Sequence, residues 1–131
     1  MKVKEANVAL MEACESRYFD ARVRSIEIRK ALEAGADPGY QDPETGTTPL
    51  MEAAVACDSL ACGLLLEAGA DVNTRDHDGN SAIFYPYLFS AGKIPRDLSE
   101  ERAAGPSLED FAETMAVLIE AGADLEGTNI Y

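Results

Sequence analysis

The stretch Leu65-Leu66-Glu67-Ala68-Gly69-Ala70-Asp71 is written twice more in degenerate form, as Ala31-Leu32-Glu33-Ala34-Gly35-Ala36-Asp37 and as Leu118-Ile119-Glu120-Ala121-Gly122-Ala123-Asp124. Its glycines stand at 35, 69 and 122, spacings of 34 and 53 residues. An apolar helical run that ends each time in Gly-Ala-Asp marks a repeat protein, with glycine as the left-handed residue that stops the helix. The longer second spacing predicts one repeat unit plus an insertion.

Around the middle copy the signals are clearest. Thr48 suits a helix N-cap, Pro49 the first helical position, and Leu50, Ala53 and Ala54 form a narrow apolar stripe, which predicts a short helix. After a turn at Cys57, Asp58 is placed to cap a second helix whose Leu64, Leu65 and Leu66 face neighbours before Gly69 ends it. Asp71 to Asn80 then reads as a hairpin loop around Asp78-Gly79. The phrase Thr48-Pro49-Leu50-Met51-Glu52-Ala53-Ala54, followed nineteen residues after Leu50 by Gly69-Ala70-Asp71, closely resembles an ankyrin repeat.

The resemblance covers about residues 7 to 126 and implies an all-α solenoid of helix-turn-helix units joined by hairpin loops. It divides a single domain, 1–131, into an N-terminal capping repeat at about 1–44, a second repeat at 45–77 and a third at 78–131. In the first, Leu10-Met11-Glu12-Ala13-Cys14 echoes Leu50-Met51-Glu52-Ala53-Ala54, with Asn7 expected as cap. Arg22, Arg24, Glu27, Arg29 and Lys30 suit an outer face that meets water.

The third repeat starts at Asp78-Gly79-Asn80-Ser81-Ala82-Ile83. From Ile83 to Gly122 is 39 residues where the second repeat uses 19, so about 20, roughly 88–107, are inserted between its two helices. Ser107 is expected to cap the last helix, near Asp110, with Phe111, Met115, Leu118 and Ile119 as its apolar stripe. The chain stops at Ile130-Tyr131 without a polar terminal repeat. The insertion is therefore expected to fold back as a cap, using Leu88, Phe89, Ile94 and Leu98.

Composition bounds the function. A chain of 131 residues has room for one core, and no apolar run approaches the roughly 18 residues that span a bilayer. Met1-Lys2-Val3-Lys4-Glu5 opens a charged helix rather than a signal-peptide core. Cys14, Cys57 and Cys62 are odd in number and suit reduced, buried thiols, so a cytoplasmic setting is expected. The net charge is −13, and residues 31–131 hold four bases against nineteen acids. That field repels phosphate backbones and anionic headgroups and steers basic proteins inward, so neither nucleic acid nor membrane is an expected partner.

No catalytic constellation emerges. Asp76-His77-Asp78-Gly79 resembles part of a calcium loop, but Tyr85 stands where the bidentate Glu would be, and a hairpin turn explains the phrase. Asp37, Asp71 and Asp124 recur at one repeat position and read as architecture. The sole histidine sits on a hairpin tip, no Cys/His cluster has zinc spacing, and no Gly-rich phosphate loop is present. Neither an enzyme nor a cofactor site is expected.

What the resemblance implies instead is a binding module. On the ankyrin pattern the inner-helix positions facing the concave groove are Glu12 and Glu15, then Glu52 and Val55, then Tyr85 and Phe89, with Asp76 and His77 on the hairpin tip. Two acidic ledges would lead to an aromatic patch, suiting a protein with a basic rim and an apolar anchor. The alternative is that Phe84, Tyr87 and Phe89 are core beneath the insertion. Met51 and Phe84 depart from the family, which usually carries histidine there, and Pro86 is expected to shorten the inner helix by removing a donor. The expected assembly is a monomer or weak homodimer. Two other functions fit the same features: an immunity or inhibitor protein that neutralises a basic toxin or nuclease, and a structural N-terminal fragment or homo-oligomeric element of a longer ankyrin array.

Overall fold

The computed structural model describes residues 3–15, 21–86 and 108–123. Its helices are α1 (Val3–Glu15), α2 (Ala21–Glu33), α3 (Pro49–Val55), α4 (Ser59–Glu67), a 3₁₀ turn η1 (Ala82–Phe84) and α5 (Leu108–Glu120), and no strand occurs among the described residues. They form two rows. The inner row runs α1, α3, η1 and the outer row α2, α4, α5, each helix packing on its neighbour along the row and on its mate across it.

Local chemistry sets the element ends. Thr48 Oγ1 accepts the Met51 N–H at 3.2 Å and Pro49 opens α3, as the sequence predicts. The Asp58 carboxylate accepts the Ala61 N–H at 3.1 Å and starts α4. The three Gly-Ala-Asp phrases become three copies of one C-cap. Gly35, Gly69 and Gly122 have φ of 103°, 109° and 99°, in the left-handed region that a Cβ disfavours. The alanine after each glycine bonds back to Ala31, Leu65 or Leu118, at 3.0, 3.0 and 3.2 Å, completing a Schellman motif.

A fourth such cap ends α3 without glycine. Cys57 takes φ 55°, while its N–H bonds to Ala54 and that of Asp58 to Ala53. A left-handed non-glycine residue costs roughly 1–2 kcal/mol, so the surroundings hold this turn against its own preference.

The core runs continuously between the two rows. Leu10, Ile28, Leu50, Met51, Leu65 and Leu118 are fully buried, and Ala13, Ala53, Ala54 and Ala61 let the helices approach closely. Met51 fills an apolar site, in line with the loss of the family's histidine. Pro86 is also fully buried. Having no N–H, it leaves the Ala82 carbonyl to the Tyr85 N–H three residues on, so the element opens as a 3₁₀ turn.

Four expectations change. Asn7 is not a cap: α1 begins at Val3, and the Asn7 side-chain oxygen accepts the Asp37 N–H at 2.7 Å, tying the helix to the loop after α2. Arg24 does not face water: its Nη1 donates to Asp58 Oδ2 at 2.7 Å, with side chains 9% and 5% exposed. On α5, Ile119 leaves the apolar stripe for the surface and Thr114 takes a fully buried place. Tyr85 is the fourth and belongs to the hairpin ledge. The expected Ser107 cap and the whole 88–107 insertion, with Leu88, Phe89, Ile94 and Leu98, lie outside the described residues, as do Tyr87 and Asp124.

Candidate functional site: the hairpin ledge and inner helices

Two hairpins built by the same device line one edge. In the first, Asp42 closes the loop by bonding its N–H to Thr47 O at 2.9 Å, and its carboxylate accepts the Glu44 N–H at 2.8 Å. One repeat later, the Asp76 N–H bonds to Asn80 O at 2.9 Å and its Oδ1 accepts the N–H groups of Asp78 and Asn80, both at 2.9 Å. Aspartate is suited to this job because its short side chain folds back onto its own turn. Asp37 and Asp71 do the same, accepting the Gly39 and Asn73 N–H groups at 2.8 and 2.9 Å.

The hairpins are stitched to each other. The His77 N–H donates to Thr45 O at 2.9 Å, and its ring Nδ1 lies 3.2 Å from Glu44 O, a contact that puts the proton on Nδ1. Gln41 Nε2 donates to Gly46 O at 3.0 Å and to Arg75 O at 3.1 Å, bridging the two loops. Gly46, with φ 79°, lies directly beneath: a Cβ there would come within 2.6 Å of His77 Cδ2 and 2.8 Å of its backbone nitrogen. Only glycine permits so close an approach.

Asp76 anchors the ledge to the third helix pair. Its Oδ2 accepts the Tyr85 hydroxyl, and Tyr85 is only 8% exposed. Burial first, then the Asp76 hydrogen bond and the carboxylates around it, push the Tyr85 hydroxyl far above its ordinary pKa. Tyr85 is thus a buried strut rather than the open aromatic patch expected of it. Asp76, with both oxygens engaged, is a scaffold residue.

The other expected site residues divide in two. Glu12 is exposed on α1, while Glu52 and Val55 are half-buried on the adjacent α3, and His77 is exposed on the ledge. Glu15 closes α1, but its side chain and all of Phe89 lie outside the described residues. Sequence reasoning missed Glu44 and Asp78, whose side chains are exposed on the paired hairpins. They stand 34 residues apart, the spacing of the first two glycine copies, and that was the available signal.

Residues 45–77 match the family model for the ankyrin repeat. This segment is an ankyrin repeat. Relatives carry the same unit: the human SH3 and multiple ankyrin repeat domains protein 2 is 43% identical over 58 residues, 44% of this chain and 3% of that protein. The human Arf-GAP with coiled-coil, ANK repeat and PH domain-containing protein 3 is 41% identical over 58 residues, 43% of this chain and 7% of that protein. The human ARF GTPase-activating protein GIT1 is 36% identical over 73 residues, 53% of this chain and 10% of that protein. The chain therefore spans at most about a tenth of these relatives. Ankyrin repeats generally mediate protein–protein contact and are generally non-catalytic.

A shallow depression on the outer row is lined by Arg24, Cys57, Asp58, Ser59, Leu60 and Asp110, but Arg24 and Asp58 are spent on each other. Burial, with a smaller contribution from Asp110, pushes the Cys57 thiol up to about 11, and burial drives Cys62 higher still, so neither is a ready nucleophile. Among the described residues no cluster of three His, Cys, Asp or Glu side chains could hold a metal ion. No helix there is long and apolar enough to cross a membrane.

Proposed function

We propose that this chain is a non-catalytic module that binds a protein partner with a basic surface through its inner helices and hairpin tips. The observation that carries the reading is the stitched ledge. By fixing two hairpins to each other through His77, Gln41 and Gly46, the fold holds the exposed Glu44 and Asp78 one repeat apart on a backbone that binding need not reorganise. A surface ordered beforehand loses little conformational entropy on association. Glu12 and Glu52 on α1 and α3 extend the same sign of charge, and Val55 supplies apolar contact area. Rim carboxylates of this kind mainly raise the on-rate and reject acidic partners. Three free, buried cysteines suit a reducing, cytoplasmic setting.

The immobilised full chain should retain basic proteins at low ionic strength and release them as salt rises. Changing Glu12, Glu44, Glu52 and Asp78 together to lysine should abolish that retention while leaving the circular dichroism spectrum intact. Retention by the folded quadruple variant at wild-type level would remove the basic-partner reading.

A further inference from the structure

We propose that the outward side of α2 and α4 docks an acidic amphipathic helix of a second protein partner, on a surface independent of the ledge and inner helices. The argument starts from repeat register. Counting back nine residues from the C-cap glycines Gly35 and Gly69 reaches Ile26 in α2 and Leu60 in α4. Both are exposed, by 51% and 50%. Each stands two residues before a fully buried core residue, Ile28 or Cys62, and two residues along a helix is about 200° around it, so both point away from the core. One exposed aliphatic is ordinary surface, whereas the same position filled alike in two helices that pack on each other makes a paired contact.

Spacing says what fits. Packed helix axes lie about 8–10 Å apart, and residues i and i+7 of a helix are separated by about 10.5 Å along its axis. A helix laid across α2 and α4 can therefore seat one apolar residue on Ile26 and the next on Leu60. Its path is clear at Gly63, one turn after Leu60, where an added Cβ would meet nothing within 4 Å. The equivalent position in α2 is the exposed Arg29.

Charge selects the occupant and its direction. Arg22 and Arg29 are exposed one turn before and one turn after Ile26. The other cations of α2 are engaged, Arg24 with Asp58 at 2.7 Å and Lys30 with Glu27 at 3.6 Å, whereas Arg22 and Arg29 are in no ion pair among the described residues. α4 contains no basic residue, and in α5 the position of Ile26 and Leu60 holds the exposed Glu113. At this level the outer row runs from positive through neutral to negative, so the partner's acids belong beside the residue seated on Ile26. An anionic lipid surface offers no such gradient and is repelled by the net charge of −13, as is a second copy of the chain.

The test uses the full chain and a synthetic helical peptide with leucines at i, i+4 and i+7 and glutamates at i−1 and i+1, beside the first leucine. Its twin carries lysines at those two places. Fluorescence anisotropy in about 0.3 M salt screens the distant carboxylates. The glutamate peptide should bind at least about fivefold tighter than the twin, and Arg22→Gln with Arg29→Gln should remove that preference. Ile26→Ser with Leu60→Ser should weaken binding at least about tenfold, with an unchanged circular dichroism spectrum. Ile26→Val with Leu60→Ile should bind like wild type. Changing Glu12, Glu44 and Glu52 to glutamine should leave affinity within about threefold, which separates this surface from the inner-helix site.

Wild-type affinity in the folded double serine variant, equal binding of the two peptides, or loss of binding only in the triple glutamine variant overturns the proposal. Binding that appears only after deletion of residues 87–107 overturns it in favour of that segment as the occupant. Adsorption to phosphatidylserine vesicles that the double serine change abolishes, without peptide binding, overturns it in favour of a lipid surface. A concentration-dependent dimer in sedimentation that the same change dissolves overturns it in favour of a second copy.

Discussion

The seam between the first and second helix pairs and the seam between the second and third share one geometry but not one chemistry. Across the first, the buried Arg24–Asp58 pair joins α2 to the start of α4, and the hairpins are stitched through Gln41 and His77. Across the second, Asn73 Nδ2 donates to Gly122 O at 3.1 Å, and Asp76 holds Tyr85. At its centre Thr114 is fully buried, its hydroxyl without a partner among the described residues, at the repeat position where α4 has Ala61. A repeat stack is stabilised by nearest-neighbour interfaces, so the weaker seam should open first.

The largest way to break the comparison is to remove one charge from the first seam. Asp58→Ala removes the 2.7 Å partner of the buried Arg24 guanidinium and uncaps α4, and should cost roughly 2–4 kcal/mol in urea unfolding. The double change Arg24→Met with Asp58→Ser should recover most of that, because serine keeps the cap and no charge is left buried. Next comes the stitch between the hairpins. Gly46→Ala should cost roughly 2–3 kcal/mol, against about 1 for Gly69→Ala, because both are left-handed but only Gly46 has His77 within contact of its Cβ.

Alkaline pH destabilises the fold through its buried thiols. Burial raises the Cys57 thiol from 9.0 to about 11 and raises Cys62 as well. The unfolded chain releases these protons first, so stability is complete below about 9 and falls as pH rises towards about 11. The melting temperature should follow, and Cys57→Ala should make the decline shallower. The smallest effect sharpens the contrast from the other side: Thr114→Val removes the orphaned hydroxyl and should stabilise by about 1 kcal/mol. Native-state hydrogen exchange should then show α5 opening at a free energy closer to that of α4.

Local chemistry was the legible part of this chain. Thr48, Pro49, Asp58 and the three glycines act within four or five residues of themselves, so caps and helix ends follow from short phrases. Sequence is least informative where a side chain acts across a repeat. Asn7 serves Asp37, 30 residues away, and Arg24 serves Asp58, 34 residues away. Opposite charges one repeat apart, on adjacent outer helices, were the signal available for the second. Helical position alone makes Tyr85 look like an open aromatic, because it does not say whether a hydroxyl has a partner. Its partner, Asp76, lies nine residues earlier across a hairpin. At the candidate site, Glu12, Glu52 and Val55 could be placed from the repeat pattern, whereas Glu44 and Asp78 become visible only once the hairpins are seen to pair.

The most direct test of the binding account is hydrogen-exchange footprinting of the full chain with and without a basic protein captured at low salt. The account predicts added protection in α1, α3 and the hairpins at 41–47 and 71–80, with α2 and α4 unchanged. Protection confined to α2 and α4, with the hairpins exchanging as in the free chain, would contradict it.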